Sequence, residues 1–243
     1  MKKNVLITGA AKRIGASCAK MLHDKGYNII LHYRSSKQDV LQLYEQLNQT
    51  RPDSVQMLQA DLLNMNELSL MAKQANSAWG SLDVLINNAS AFYPQEVSNV
   101  SEQSWDELMG INLKAPFFLS QALSTTLTAN KGCIVNIIDI HAERGLKTYP
   151  VYSISKAGLA AMTKILAKEL APNVRVNGVS PGAILWPEEN VSEQDKTEIL
   201  QKVALNRRGE SSDIAKAVCF LVDDASYVTG QIITVDGGRT LFC

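Results

Sequence analysis

The chain has 243 residues, 24 Lys plus Arg against 24 Asp plus Glu, and 46% apolar residues. A zero formal charge gives no draw toward nucleic acid or an anionic membrane surface, and this apolar content excludes disorder as the default. The length suffices for one large α/β domain with a substantial core.

Short apolar runs alternate with helical patterns along the chain. Residues 5–7 read as a buried strand, and residues 14–25 as a helix closed by Gly26. A second strand covers Asn28–Tyr33, a helix residues 40–48, and a third strand Val55–Gln59, which leads into Ala60, Asp61 and Leu62. A helix over residues 66–79 ends at Gly80, and residues 82–86 form a fourth strand. Residues 104–130 form one long helical region with Pro116 inside it. A fifth strand over residues 134–138, a helix over 152–170, a sixth strand over 174–179, a helix over 213–221 and a last strand over 231–235 complete the series. Strands apolar on both faces and separated by helices indicate a parallel sheet covered on both sides. Right-handed crossovers then give a doubly wound Rossmann-type fold, with about seven strands in a single domain over residues 1–243.

The four cysteines, Cys18, Cys133, Cys219 and Cys243, show no paired metal spacing; Cys18 and Cys133 read as buried thiols. The apolar run before Gly9 is too short for a signal peptide or a membrane span. A soluble protein of the reducing cytoplasm is therefore expected, with no membrane, nucleic-acid or metal partner.

The turn Thr8-Gly9-Ala10-Ala11-Lys12-Arg13-Ile14-Gly15 lies between the first strand and the first helix. Gly9 permits a tight exit from the strand, and Gly15 permits close helix–sheet contact. The N–H groups that open the helix, together with its dipole, can hold a pyrophosphate. The middle glycine of the usual dinucleotide pattern is replaced by Arg13. Strand two ends in His32-Tyr33-Arg34-Ser35-Ser36, with no carboxylate before Asp39. A carboxylate there would accept the ribose 2′-OH, whereas Arg with hydroxyls matches a 2′-phosphate. The expected cofactor is NADP(H), with Tyr33, Arg34, Ser35 and Arg13 near its phosphates and Asp61 and Leu62 facing the adenine.

Tyr152 and Lys156 are one helical turn apart and share a face. A phenol beside an ammonium is a proton donor whose conjugate base the cation stabilises. Such a pair suits reduction of a C=O or C=N bond. Asp139 lies thirteen residues before Tyr152. A free aspartate is ionised at neutral pH, and donating a proton from it would cost roughly 4 kcal/mol. Two roles stay open: Asp139 and Tyr152 share and pass the proton, or Asp139 only positions the substrate.

These motifs, with Asn87-Asn88-Ala89, Asn112, Ser180-Pro181-Gly182 and Val235-Asp236-Gly237-Gly238, resemble the short-chain dehydrogenase/reductase family from about residue 4 to 238. Within it, Arg13, the segment Asn88-Ala89-Ser90-Ala91-Phe92-Tyr93-Pro94, and Asp139 in place of a serine resemble the pteridine reductases. The resemblance implies cofactor contacts from Asn88, Ala89, Pro181, Gly182 and the main chain near Ile184. It implies a pterin ring sandwiched between Phe92 and the nicotinamide, with Ser90 touching the pterin or the cofactor phosphates. It also implies that Lys156 holds the nicotinamide ribose and that Asn112 anchors a water on a proton relay. The expected reaction is NADPH-dependent reduction of a dihydropterin, with dihydrofolate and dihydromonapterin as candidates. A carbonyl or 3-oxoacyl-carrier-protein reductase would instead require serine at position 139. A non-catalytic NADP(H) sensor would leave the Tyr/Lys pair dispensable.

Residues 183–208 are expected to cover the substrate, with Ile184, Leu185 and Trp186 as apolar wall. His23 reads as a helix-surface residue and His141 as loop. Apolar residues on more than one face of the long helices point to oligomerisation, and the resemblance implies a homotetramer. The C-terminal run over residues 239–243 would pack at a subunit boundary or reach a neighbouring active site.

Overall fold

The computed structural model describes residues 2–184, 198 and 200–242. Their β1 (Asn4–Ile7), β2 (Asn28–Tyr33), β3 (Val55–Gln59), β4 (Val84–Asn87), β5 (Cys133–Ile137), β6 (Arg175–Pro181) and β7 (Ile232–Val235) form one sheet in the order β3-β2-β1-β4-β5-β6-β7. Every pairing is parallel; Val5 stands opposite Ile29 on one side and Val84 on the other. The helices are α1 (Arg13–Asp24), α2 (Lys37–Thr50), α3 (Met65–Ser77), α4 (Glu102–Met109), α5 (Ala115–Ala129), α6 (His141–Arg144), α7 (Pro150–Glu169) and α8 (Ser211–Asp223). The result is a single α/β Rossmann-like domain with helices on both faces.

The alternation of strand side chains divides the core in two. Val5, Ile7, Ile29 and Leu31 point toward α1, α2 and α8, where they meet Cys18, Leu22, Leu43 and Val218. Leu6, Ile30 and Leu85 point the other way, toward α3, α5 and α7, and meet Leu68, Met71, Leu123 and Leu159. With both faces covered, β1, β2, β4 and β5 are buried throughout. Cys18 and Cys133 are buried as expected. The chain's direction along the sheet reverses between β1 and β4, so the loops after these two strands diverge. The crevice they leave at the carboxyl ends is the usual ligand position in such sheets.

The region read as one helix over residues 104–130 is two helices joined by a π-type turn at Gly110–Lys114. Ser101 caps α4, and Pro116 sits in the first turn of α5, where its missing N–H costs nothing. The wide turn carries Asn112 into the interior, fully buried. β4 starts two residues later than expected, and just before it Asp83 accepts the Asn4 N–H on Oδ2 at 2.8 Å. His23 is not on the surface. It is buried, with Nε2 2.7 Å from Ser54 Oγ, because the last turn of α1 leans on the loop before β3. His141 opens a short helix rather than a loop.

Candidate active site and dinucleotide cleft

The loops after β1 and β4 are stitched together by side chains. Thr8 Oγ1 accepts the N–H groups of Asn88 at 2.9 Å and Ala89 at 3.0 Å. The Asn88 amide returns two bonds, to the carbonyls of Thr8 at 2.8 Å and Gly9 at 3.0 Å. The contact is close enough to demand glycine. A Cβ on Gly15 would lie 2.5 Å from the Gly9 carbonyl and 2.7 Å from Asn88 Nδ2. Gly9 has φ +62°, and Arg13 adopts φ +53°, the left-handed conformation the missing glycine would have supplied. The first turn of α1 has no side-chain cap. A helix start without such a cap, lining the cleft at Arg13, Ile14 and Gly15, suits an anion site.

A cleft of about 720 Å³ runs over these loops. It is lined on one side by Gly9, Arg13, Ile14, Gly15, Tyr33, Arg34, Ser35, Asp61 and Leu62, and over the sheet by Asn88, Ala89, Ser90, Pro181, Gly182 and Ile184. Phe92, Asp139, Tyr152 and Lys156 line its far end. The residues singled out from the sequence thus converge on one surface, with two exceptions. Trp186, like Leu185, lies outside the described residues. Asn112 lies behind the wall. Its amide is consumed by Ala91 O at 3.0 Å, Ser155 Oγ at 3.0 Å, Ala91 N at 2.9 Å and Ser90 Oγ at 2.9 Å. These bonds tie the loop after β4 to α7, and the side chain makes no bond to Lys156 among them.

At the 2′ end, Arg34 and Ser35 are exposed at the mouth. Asp39, the first carboxylate after β2, is engaged by Lys12 at 3.1 Å. The edge of the cleft that would face a ribose phosphate is therefore cationic and hydroxylic, which fits NADP(H).

At the other end, Tyr152 Oη donates to Asp139 Oδ2 at 2.8 Å, and Asp139 Oδ1 accepts the His141 N–H at 2.8 Å. Both carboxyl oxygens therefore act as acceptors. Lys156 is 2% exposed and donates from Nζ to the Ile137 carbonyl at 2.9 Å. Burial, opposed in part by Asp139, lowers its pKa to about 8. Lys156 was expected to acidify Tyr152. Instead burial first, then the Asp139 charge and hydrogen bond, hold the phenol well above its usual pKa. The reason is contact: Asp139 touches the hydroxyl, while Lys156 Nζ stands 5.8 Å from the ring centre.

Phe92 stacks on Tyr149 at 4.4 Å and 14°, and meets Tyr152 edge-on at 4.7 Å. It is 45% exposed and lines the cleft. Sequence reasoning missed Tyr149, Glu107, His32 and Arg239, all of which line the cleft. Tyr149 could have been found, since it lies one turn before Tyr152. Arg239 lines the cleft of its own chain rather than only a boundary with another.

A family model described as enoyl-(acyl carrier protein) reductase matches residues 9–240. The chain is 36% identical to the 3-oxoacyl-(acyl-carrier-protein) reductase FabG of Staphylococcus epidermidis, covering 98% of this chain and 99% of that protein. It is 35% identical to pteridine reductase 1 of Leishmania tarentolae, covering 97% and 96%. It is 34% identical to the uncharacterized oxidoreductase YmfI of Bacillus subtilis, covering 98% and 99%. The chain belongs to the short-chain dehydrogenase/reductase family. It is an NADPH-dependent oxidoreductase of that family. The Gly9/Gly15 turn, the uncapped start of α1 and the Arg34 mouth fit the cofactor that membership implies. Among the described residues no helix is long and apolar enough to cross a membrane, and no group of three His, Cys, Asp or Glu could hold a metal.

Proposed function

We propose that the chain reduces a pterin, taking a dihydropterin such as dihydrofolate or dihydromonapterin to the tetrahydro form. One observation carries this reading: Asp139 presents a hydrogen-bond acceptor, 2.8 Å from the Tyr152 hydroxyl, at the position where the family resemblance implies a serine donor in most members. A ketone oxygen has no proton to give, so an acceptor beside it is unfavourable. A reduced pterin carries ring N–H and exocyclic N–H₂ groups that satisfy it. Phe92, partly exposed along the cleft beside Tyr152, would supply a plate for a flat heterocycle.

The turn that opens α1 would hold NADPH, which would supply the hydride when bound. Asn88, Gly9 and Gly15 shape the turn that would receive its pyrophosphate, and Arg34 and Ser35 would meet the 2′-phosphate. Tyr152 donates its Oη proton to the ring nitrogen next to the reduced carbon. When a substrate N–H replaces Tyr152 on Asp139 Oδ2, the hydroxyl is released to turn toward that nitrogen. Losing the Asp139 contact also removes a cause of the raised Tyr152 pKa. Lys156, protonated at neutral pH with its pKa of about 8, stabilises the phenolate and orients the ribose hydroxyls. Asn112 acts by holding the loop of Ser90 against α7. Ile184, near the start of the segment expected to cover the substrate, lines the cleft, and residues 185–197 of that segment lie outside the described residues. Exposed Trp105, Phe117 and Ile165 on α4, α5 and α7 support assembly into a homotetramer.

A second reading is favoured by the comparisons. The several oxoacyl reductases at 36% identity make reduction of a 3-oxoacyl thioester, a carbonyl substrate, the main competitor. There Tyr152 protonates the keto oxygen and Asp139 has no partner on the substrate. NADPH oxidation measured against dihydropterins, dihydrofolate and a 3-oxoacyl thioester separates the two. Turnover of the thioester alone would overturn the pterin reading. Turnover of pterins that Asp139→Ser abolishes would support it.

A further inference from the structure

His32 is the one histidine at the cofactor end of the cleft, and nothing assigned so far uses its side chain. It lies on β2, 2% exposed, with both ring nitrogens engaged. Gly9 N lies 3.1 Å from Nδ1, and Nε2 lies 3.1 Å from the Ala60 carbonyl. An amide N–H can only donate and a carbonyl can only accept. The ring is therefore the neutral Nε2–H tautomer, with Nδ1 as acceptor. The partners are the two loops that frame the dinucleotide: the turn after β1, and the loop after β3 that continues into Asp61 and Leu62. Asn88 holds the carbonyls of Thr8 and Gly9. His32 holds the intervening Gly9 N–H, so the peptide units on either side of Gly9 are pinned at φ +62°.

We propose that His32 is a positioning residue for the dinucleotide: its neutral imidazole sets the spacing between the turn that receives the pyrophosphate and the loop that meets the adenine. The inference rests on the cofactor placement above, but not on any choice of substrate. It makes cofactor affinity depend on the protonation of His32. A proton on Nδ1 would set a donor against the Gly9 N–H and push the turn away. The ionisable neighbours on the two loops are Asp61 on one, and Lys12 and Arg13 on the other. Burial lowers the His32 pKa, and the Ala60 bond and Asp61 oppose this more weakly. The ring is thus neutral at physiological pH and charges only toward acid.

The test is NADPH binding to the substrate-free protein, titrated by fluorescence from pH 5 to 8. In His32→Asn, the amide oxygen stands where Nδ1 stood and keeps the Gly9 bond. In His32→Gln, the longer side chain reaches toward Ala60 and gives up Gly9. We expect His32→Gln to raise the Kd for NADPH about tenfold, roughly 1.4 kcal/mol. The loss should fall on KM for NADPH more than on kcat, and His32→Asn should recover most of it. The 2′-phosphate itself titrates near pH 6 and contributes an acid limb in every protein. The difference between wild type and His32→Asn isolates the histidine: wild type should weaken additionally toward acid. Equal losses in both variants, no loss in either, or superimposable pH profiles for wild type and His32→Asn would each overturn the inference. If His32→Gln does not fold, the pH comparison with His32→Asn decides alone. Wild type that binds no NADPH would instead sink the cofactor placement.

Discussion

The two ends of the cleft are built in different ways. The cofactor end is made of main chain: Gly9 and Gly15 in close contact, carbonyls held by Asn88, amides held by Thr8 and His32. Its loop carbonyls and amides are paired, the start of α1 is left for a ligand, and its shape follows from the register of β1, β2 and β4. The substrate end is made of side chains on two loops and one helix. There a phenol and a carboxylate share one hydrogen bond, and the Phe92 ring stays partly exposed. Backbone in left-handed conformation recurs at Gly145 and Thr148, beside Tyr149. A frame of main-chain bonds can hold a constant ligand, while an end assembled from side chains can be changed residue by residue without disturbing the sheet. Relatives acting on different substrates fit this division.

The largest effect should come from the substrate end. Tyr152→Phe removes the proton donor and is expected to lower kcat by about 10²- to 10⁴-fold. NADPH binding, read by fluorescence, should change far less; a comparable loss there would erase the distinction between the ends.

Lys156 bridges the two ends, and its burial has a thermodynamic signature. Its folded pKa of about 8 lies below its usual 10.5. Between these values the unfolded chain binds more protons, so this group's contribution to stability rises with pH across that window and is least favourable below pH 8. Lys156→Met should therefore lose activity yet gain stability at pH 7, by about 1–3 kcal/mol in urea unfolding. The gain should shrink as pH rises from 8 to 10. A stability difference that is flat with pH would show that the lysine is not strained by burial.

At the cofactor end, Gly15→Ala places a Cβ 2.5 Å from a carbonyl oxygen. Overpacking of this kind costs about 1–3 kcal/mol, or a roughly 10- to 100-fold rise in the Kd for NADPH if the turn yields. An unchanged Kd would mean the turn is softer than its bonds suggest. The smallest effect belongs to Phe92→Ala. Stacking contributes about 0.5–1.5 kcal/mol, so KM for a dihydropterin should rise up to about tenfold while KM for NADPH holds. An effect confined to NADPH would move Phe92 out of the substrate end.

The cofactor end was more legible in the chain than the substrate end. Gly9, Arg13, Gly15, Arg34 and Asp61 are read by their positions after strands, because a parallel sheet fixes where strand ends go. Tyr152 and Lys156 were legible because one helical turn sets their relation. The bond between Asp139 and Tyr152 joins a strand end to a separate helix, and no local period encodes it. The same holds for His32, which looked like an unremarkable strand residue until β1 and β3 closed around it. The break at Gly110–Lys114 was missed because apolar spacing continues through it; only Pro116 hinted at a second start.

Sequence alone determined the alternation of strands and helices, the glycine turn and the pairing of Tyr152 with Lys156, since these depend on periodicity and on conformations only certain residues adopt. Tertiary structure decided the direction of the Tyr152 hydroxyl bond, the depression of the Lys156 pKa and the tautomer of His32. Each of these depends on burial and on partners distant in the chain, and the electrostatics of a group are set by what packs against it.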